Sequence, residues 1–273
     1  MKKGILFAFI CCLVVQLAPA QTIQKDSTQA HYITVNLEIT QLQRKRDVQI
    51  YLPADYYKSS KKYPVIYMQD AQNIYDMGGS RKNSWCVDSL LKTLPDNQQA
   101  IIVGINHGGN SRIAEYSPYQ SKYGNADGVP YTEFMVNTLK PYIDAHYRTK
   151  TDAKHTAIAG SSMGGLIALY ATLKHPQVFG TAGIFSPALW INPEINQFVN
   201  DANIPGKSRF FMACGDQEGT EANDVNKMDS LLRSKKVSIS NMPKPLLLKG
   251  EKHNEHQWML EFPDFYRWWI SKL

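Results

Sequence analysis

The chain has 273 residues, 43% of them hydrophobic and 20% charged, with 17 glycines, 14 prolines and four cysteines. That balance excludes a disordered, collagen-like or disulfide-framework protein and leaves enough length for one sizeable apolar core. The formal net charge of +6 comes from short, scattered clusters, Arg44-Lys45-Arg46, Lys61-Lys62 and Lys235-Lys236, with no basic stripe interleaved with aromatics, so a nucleic-acid partner is not expected.

The chain opens Met1-Lys2-Lys3, runs apolar from Ile5 to Leu17 and reaches Ala18-Pro19-Ala20, a small-x-small cleavage signature. Residues 1–20 therefore read as a secretory signal peptide, and the mature chain is expected to start near Gln21, secreted or periplasmic. The apolar run is shorter than the roughly 20 residues that a membrane span needs, and no later stretch approaches that length without charges. Ile10 before Cys11, where a lipoprotein signal needs a small residue, argues against a lipid anchor. Cleavage would remove two lysines and no acids, taking the charge from +6 to +4, and two of the cysteines. Cys86 and Cys214 are then expected as buried thiols.

Residues 21–273 read as a single domain without repeats or linkers. Strands are expected near 31–39, 46–52, 63–69, 99–105, 155–160, 180–185, 208–214 and 245–249. Helices are expected near 84–94, 131–146, 163–174, 221–235 and 256–271, with 106–130 and 186–206 left as loops. Two leading strands followed by strand-helix alternation predict a mostly parallel sheet with an antiparallel beginning and helices on both faces.

Between the run Thr156-Ala157-Ile158-Ala159 and the helical spacing of Leu166, Ile167, Leu169, Tyr170 and Leu173 lies Gly160-Ser161-Ser162-Met163-Gly164. This G-x-S-x-G pentapeptide puts Ser162 on a strand-to-helix turn, the position of an activated nucleophile. A serine hydroxyl is a weak nucleophile at neutral pH and needs a base, most often histidine, held by a carboxylate. His253 lies on a loop just past the expected strand at 245–249, whereas His175 closes a helix and His256 starts one, so His253 is favoured. The strand at 208–214 ends in Gly215-Asp216-Gln217-Glu218, and both Asp216 and Glu218 could serve as the acid. The amide of Met163, directly after the serine, is the expected first oxyanion donor. No H-E-x-x-H or G-x-G-x-x-G pattern is present, so neither a metal nor a nucleotide cofactor is expected.

These residues, with Tyr63 to Asn73, Val103-Gly104-Ile105-Asn106, Glu115-Tyr116-Ser117-Pro118 and His253-Asn254-Glu255 followed by Trp258, make the chain resemble the putative esterase family of α/β-hydrolases. That family includes feruloyl and acetyl esterases, siderophore esterases and S-formylglutathione hydrolases. The resemblance implies an α/β-hydrolase fold and a serine esterase without a cofactor. It matches Glu218 to the acid and His253 to the base, and it puts the second oxyanion donor at Ala71 or Gln72, with Gln72 preferred. Ala71 departs from the glycine frequent there in the family, a modest change in a loop whose backbone geometry matters to the donor.

Export together with the resemblance implies carbohydrate-linked acetyl or feruloyl esters as substrates, with siderophore trilactones as the alternative. A hydrolase-like domain that binds glycan without turnover is the contrasting reading. Tyr75, Tyr116 and Trp190, near expected strand ends, are candidates to stack on substrate, while Trp258, Trp268 and Trp269 are read as packing. The sequence leaves the oligomeric state open.

Overall fold

The computed structural model describes residues 31–75 and 83–273; the leader read at 1–20 lies outside the described residues. Eight strands, β1 (His31–Ile39), β2 (Arg44–Leu52), β3 (Val65–Gln69), β4 (Ile101–Ile105), β5 (Thr156–Ser161), β6 (Thr181–Phe185), β7 (Arg209–Gly215) and β8 (Leu246–Leu248), form one sheet in the order β1-β2-β4-β3-β5-β6-β7-β8. The pairs β1/β2 and β2/β4 are antiparallel, and all other neighbours are parallel. β1 alternates buried and exposed positions, as an edge strand with one wet face should. The strands β3 to β7 are buried at every residue, because helices cover both of their faces.

The helices are α1 (Val87–Leu91), α2 (Arg112–Glu115), α3 (Gly128–Phe134), α4 (Lys140–His146), α5 (Met163–Lys174), α6 (Glu194–Asp201), α7 (Glu221–Ser234) and α8 (Glu255–Ile270). One core layer gathers Phe134, Leu139, Leu166, Ile195, Val225 and Met228 against the sheet. The opposite layer gathers Leu91, Trp258, Phe262, Phe265 and Trp269 from α1 and α8. Among the described residues no helix is long and apolar enough to cross a membrane.

Three helical segments differ from the expectation. The helix expected over 131–146 widens into a π turn at Met135–Leu139 between α3 and α4. Pro141 supplies no N–H and its ring crowds the preceding turn, so the backbone re-registers there. Within 186–206, read as loop, α6 starts after Pro193 and buries only Ile195 and Val199, a stripe too short to stand out in the sequence. α2, inside 106–130, is a single turn with no apolar period to announce it.

The parallel strands all deliver their carboxyl ends to one rim. There β5 runs into Ser162, β6 into Ser186, β7 into the turn carrying Asp216 to Glu218, and β8 into the loop carrying His253. Ligands of open α/β sheets collect at that edge.

Candidate active site

Ser162 stands between β5 and α5 with φ 56° and ψ −123°, a region that L-residues seldom occupy. The strain is held by backbone hydrogen bonds on both sides. Ser162 N–H donates to the Phe185 carbonyl at 2.9 Å, and the Ser162 carbonyl accepts from Gly165 and Ala188 at 3.1 Å each. Gly160 allows the turn: a Cβ there would lie 2.7 Å from the Gly164 carbonyl carbon. The side chain is therefore pushed to the rim, half-buried, at the N-terminus of α5.

Three strands away, His253 Nδ1 meets Glu218 Oε2 at 2.7 Å, and the imidazole is 36% exposed while the carboxylate is fully covered. The other oxygen, Oε1, accepts from the Gly215 amide at 2.6 Å and from the Ser186 hydroxyl at 2.7 Å. Burial pushes the Glu218 carboxyl up, but the bonds from His253, Gly215, Ser186 and Gln257 outweigh it and hold the group below the ordinary carboxylate range. Asp216 is turned elsewhere: its Oδ1 accepts from Gly250 N–H at 2.8 Å and tightens the turn before the histidine loop. The carboxylate facing His253 is thus Glu218. Gly215 lets the two loops close together, since a Cβ there would overlap the Glu251 carbonyl, and Gln217 N–H donates to that carbonyl at 3.0 Å.

The other histidines point away from this rim. His256 Nδ1 lies 3.2 Å from Glu251 Oε2 on the surface. His175 pairs with Glu133 at the far end of α5, about 18 Å of helix rise from Ser162. Among the described residues, neither Ser162 Oγ nor His253 Nε2 has a hydrogen-bond partner.

The loop after β3 approaches the serine from the other side. A Cβ on Gly164 would sit 3.0 Å from Gln69 Cβ and 3.2 Å from Asp70 Oδ2, so this glycine admits the loop next to the start of α5. Asp70, not residue 71, carries the unusual backbone, with φ 57°. Ala71 sits inside the ordinary 3₁₀ turn that follows, which accounts for a Cβ being tolerated where glycine is frequent. Arg112 of α2 clamps Asp70 with Nε to Oδ1 at 2.6 Å and Nη2 to Oδ2 at 2.9 Å. The Gln72 amide and the His107 backbone exchange hydrogen bonds, Nε2 to O at 3.3 Å and N to Oε1 at 3.1 Å. Asn73 Nδ2 donates to Glu255 Oε1 at 3.0 Å and so ties this loop to the histidine loop. The backbone amides of Ala71, Gln72 and Met163 have no acceptor among the described residues.

Two expected stacking residues are corrected. Tyr75 is 3% exposed, packed on Tyr51 and Tyr32, and Tyr116 is fully covered with its hydroxyl turned to Asp70 Oδ1 at 3.4 Å. Neither offers a face to a ligand, because positions just past a strand end still lie under the helical layers. Trp190 is half exposed and meets Tyr123 edge to face at 5.3 Å. Trp258 is buried as read from sequence, but its ring also stands edge-on to the His253 ring at 5.2 Å. Ser186 and Arg112 went unnoticed in the sequence. Ser186 follows a strand in Phe185-Ser186-Pro187, a place that could have been flagged, whereas nothing local marks Arg112.

With that geometry in view, the family model described as "Putative esterase" matches residues 39–237. The chain is 29% identical over 199 residues to the endo-1,4-beta-xylanase/feruloyl esterase of Xylanibacter ruminicola, covering 68% of this chain and 24% of that protein. A solved ferulic acid esterase superposes with a TM-score of 0.70 at 20% identity, covering 90% of this chain and 99% of the other. The enterobactin esterase of Shigella flexneri superposes with a TM-score of 0.68 at 18% identity, covering 90% of this chain and 61% of the other. At those identities the two structures speak for the fold.

Proposed function

Since the chain belongs to the putative esterase family of α/β-hydrolases, we propose that it is a serine esterase that cleaves carboxylic esters through an acyl-enzyme on Ser162. The observation that carries this reading is the His253–Glu218 contact of 2.7 Å at the same sheet rim as the strained Ser162.

In this reading His253 Nε2 takes the Ser162 proton as Oγ attacks the ester carbonyl, and Glu218 stabilises the imidazolium through Nδ1. The uncommitted amides of Met163 and of Gln72 or Ala71 hold the tetrahedral oxyanion, each donor contributing about 10²- to 10³-fold in rate. The imidazolium then protonates the leaving alcohol. Water, deprotonated by His253, repeats the attack on the acyl-enzyme and releases the acid. The absence of a standing Ser162–His253 hydrogen bond fits a site that tightens on substrate, as such pairs are often loose without one.

For substrate, the reading favours carbohydrate-linked acyl esters, acetyl or feruloyl, acted on outside the cytoplasm after cleavage of a leader at residues 1–20. The similarity to the xylanase/feruloyl esterase of Xylanibacter ruminicola and the exposed Trp190–Tyr123 pair two residues past Ala188 support it. Siderophore esters are the second reading, supported by the relative named ferri-bacillibactin esterase of Bacillus subtilis, 29% identical over 153 residues.

A fluorophosphonate probe is expected to label the wild type and not Ser162→Ala, and Ser162→Ala is expected to lose p-nitrophenyl ester turnover while keeping its melting temperature. An unlabelled, inactive wild type would leave the glycan-binding reading standing instead. A panel of acetylated xylan, methyl ferulate and a catecholate trilactone separates the substrate classes by kcat/KM.

A further inference from the structure

Behind Glu218 lies a fully buried polar group that the mechanism above does not use. Ser186, with no exposed surface, donates its hydroxyl proton to Glu218 Oε1 at 2.7 Å. Ser186 Oγ in turn accepts from Gln257 Nε2 at 2.9 Å and from Trp258 Nε1 at 3.0 Å, both at the start of α8. An indole N–H and an amide NH₂ can only donate, and an ionised carboxylate can only accept, so the single Ser186 proton has one place to go. Its direction is fixed by chemistry. The residue is held at φ 41°, a conformation disfavoured for any side chain, with its own N–H donating to the Ala213 carbonyl at 2.7 Å. Strain of that kind persists where the surroundings over-determine it.

Gln257 spends its second amide hydrogen on Glu261 Oε1 at 3.0 Å. Burial, then the charge of Glu218, pushes the Glu261 carboxyl up to about 9, so at neutral pH no second negative charge stands behind the acid.

We propose that Ser186, braced by Gln257 and Trp258, is a positioning residue that fixes the Glu218 carboxylate so that Oε2 faces His253 Nδ1. The proposal rests on the serine-esterase reading and adds to it the group that aims the acid. Because Ser186 acts only through Glu218, its effect must vanish when the carboxylate is gone.

The experiment is a double-mutant cycle with p-nitrophenyl butyrate as the probe. Ser186→Ala and Ser186→Gly are measured alone and in a Glu218→Ala background, with thermal melts and fluorophosphonate labelling of the wild type as controls. Each single variant is expected to lower kcat about ten- to a hundredfold, the worth of a hydrogen bond to a charged group, with KM within about threefold. In the Glu218→Ala background the further loss is expected to be under about twofold. Ser186→Gly, which suits the positive φ, carries the test if Ser186→Ala melts early. Single variants with kcat within about threefold of wild type, or a loss undiminished without Glu218, would overturn the proposal. If the wild type itself is neither labelled nor active, the esterase reading fails and this one with it.

Discussion

Glu218 and Glu261 are two buried carboxyls with opposite fates. Glu218 has a histidine, an amide and a hydroxyl to hold its charge, and stays ionised. Glu261 has one amide partner and an Oε2 without any among the described residues, and keeps its proton. Glu218→Gln is expected to lower kcat roughly 10²- to 10⁴-fold, and Asp216→Asn to leave it within about threefold. The reverse ranking in steady-state kinetics would make Asp216 the acid. A carboxyl whose folded pKa lies above its unfolded one favours the folded state when protonated. The contribution of Glu261 is therefore complete below its ordinary value of 4.5 and is lost as pH climbs through about 9. Glu261→Gln should gain on the wild type steadily from pH 5 to pH 9, by no more than about 1.4 kcal/mol per pH unit. Thermal melts at three pH values check this, and a pH-independent difference contradicts it.

At the scale of elements, the rim depends on close approaches that only certain side chains permit. Adding a methyl at Gly160 sets it 2.7 Å from backbone of α5, which cannot retreat without moving Ser162. Gly160→Ala is expected to cost about 1–3 kcal/mol. By the usual scaling that is a fall of several degrees in Tm, together with a loss of turnover. The latch from Asn73 to Glu255 joins the loop after β3 to the start of α8, across 182 residues of sequence. Asn73→Ala is expected to lower kcat/KM roughly threefold to tenfold, the range of one partly exposed hydrogen bond to a charged partner. Stopped-flow acylation rates should fall in step, and unchanged acylation would dismiss the latch.

On the scale of the whole molecule, β1 pairs with β2 along nine residues. With residues 1–20 proposed as a cleaved leader, a chain starting at Gln21 is expected to match the Tm and kcat of the full chain. A chain starting at Arg44 lacks β1, exposes the backbone edge of β2 and is expected to aggregate. Sedimentation and melts distinguish the two.

All eight strands were legible within about two residues, because β-branched and small apolar runs alternating with helical periods leave few topologies that bury them. The strand-to-helix turn at Ser162 was legible for the same reason: the glycines that make it possible are local to it. Residue chemistry left Asp216 and Glu218 tied, since both follow the same strand; the resemblance favoured Glu218, and the fold brings that carboxylate to the imidazole. Tyr75 and Tyr116 look alike on paper with Trp190, yet two are sealed in packing and one is open to solvent. Ser186, Gln257, Arg112 and Asn73 are partners across 32 to 182 residues of chain. Local chemistry fixes strands, turns and the strained serine, because those depend on neighbours along the backbone. Which groups share hydrogen bonds at the rim depends on neighbours in space, and the folded sheet alone brings those together.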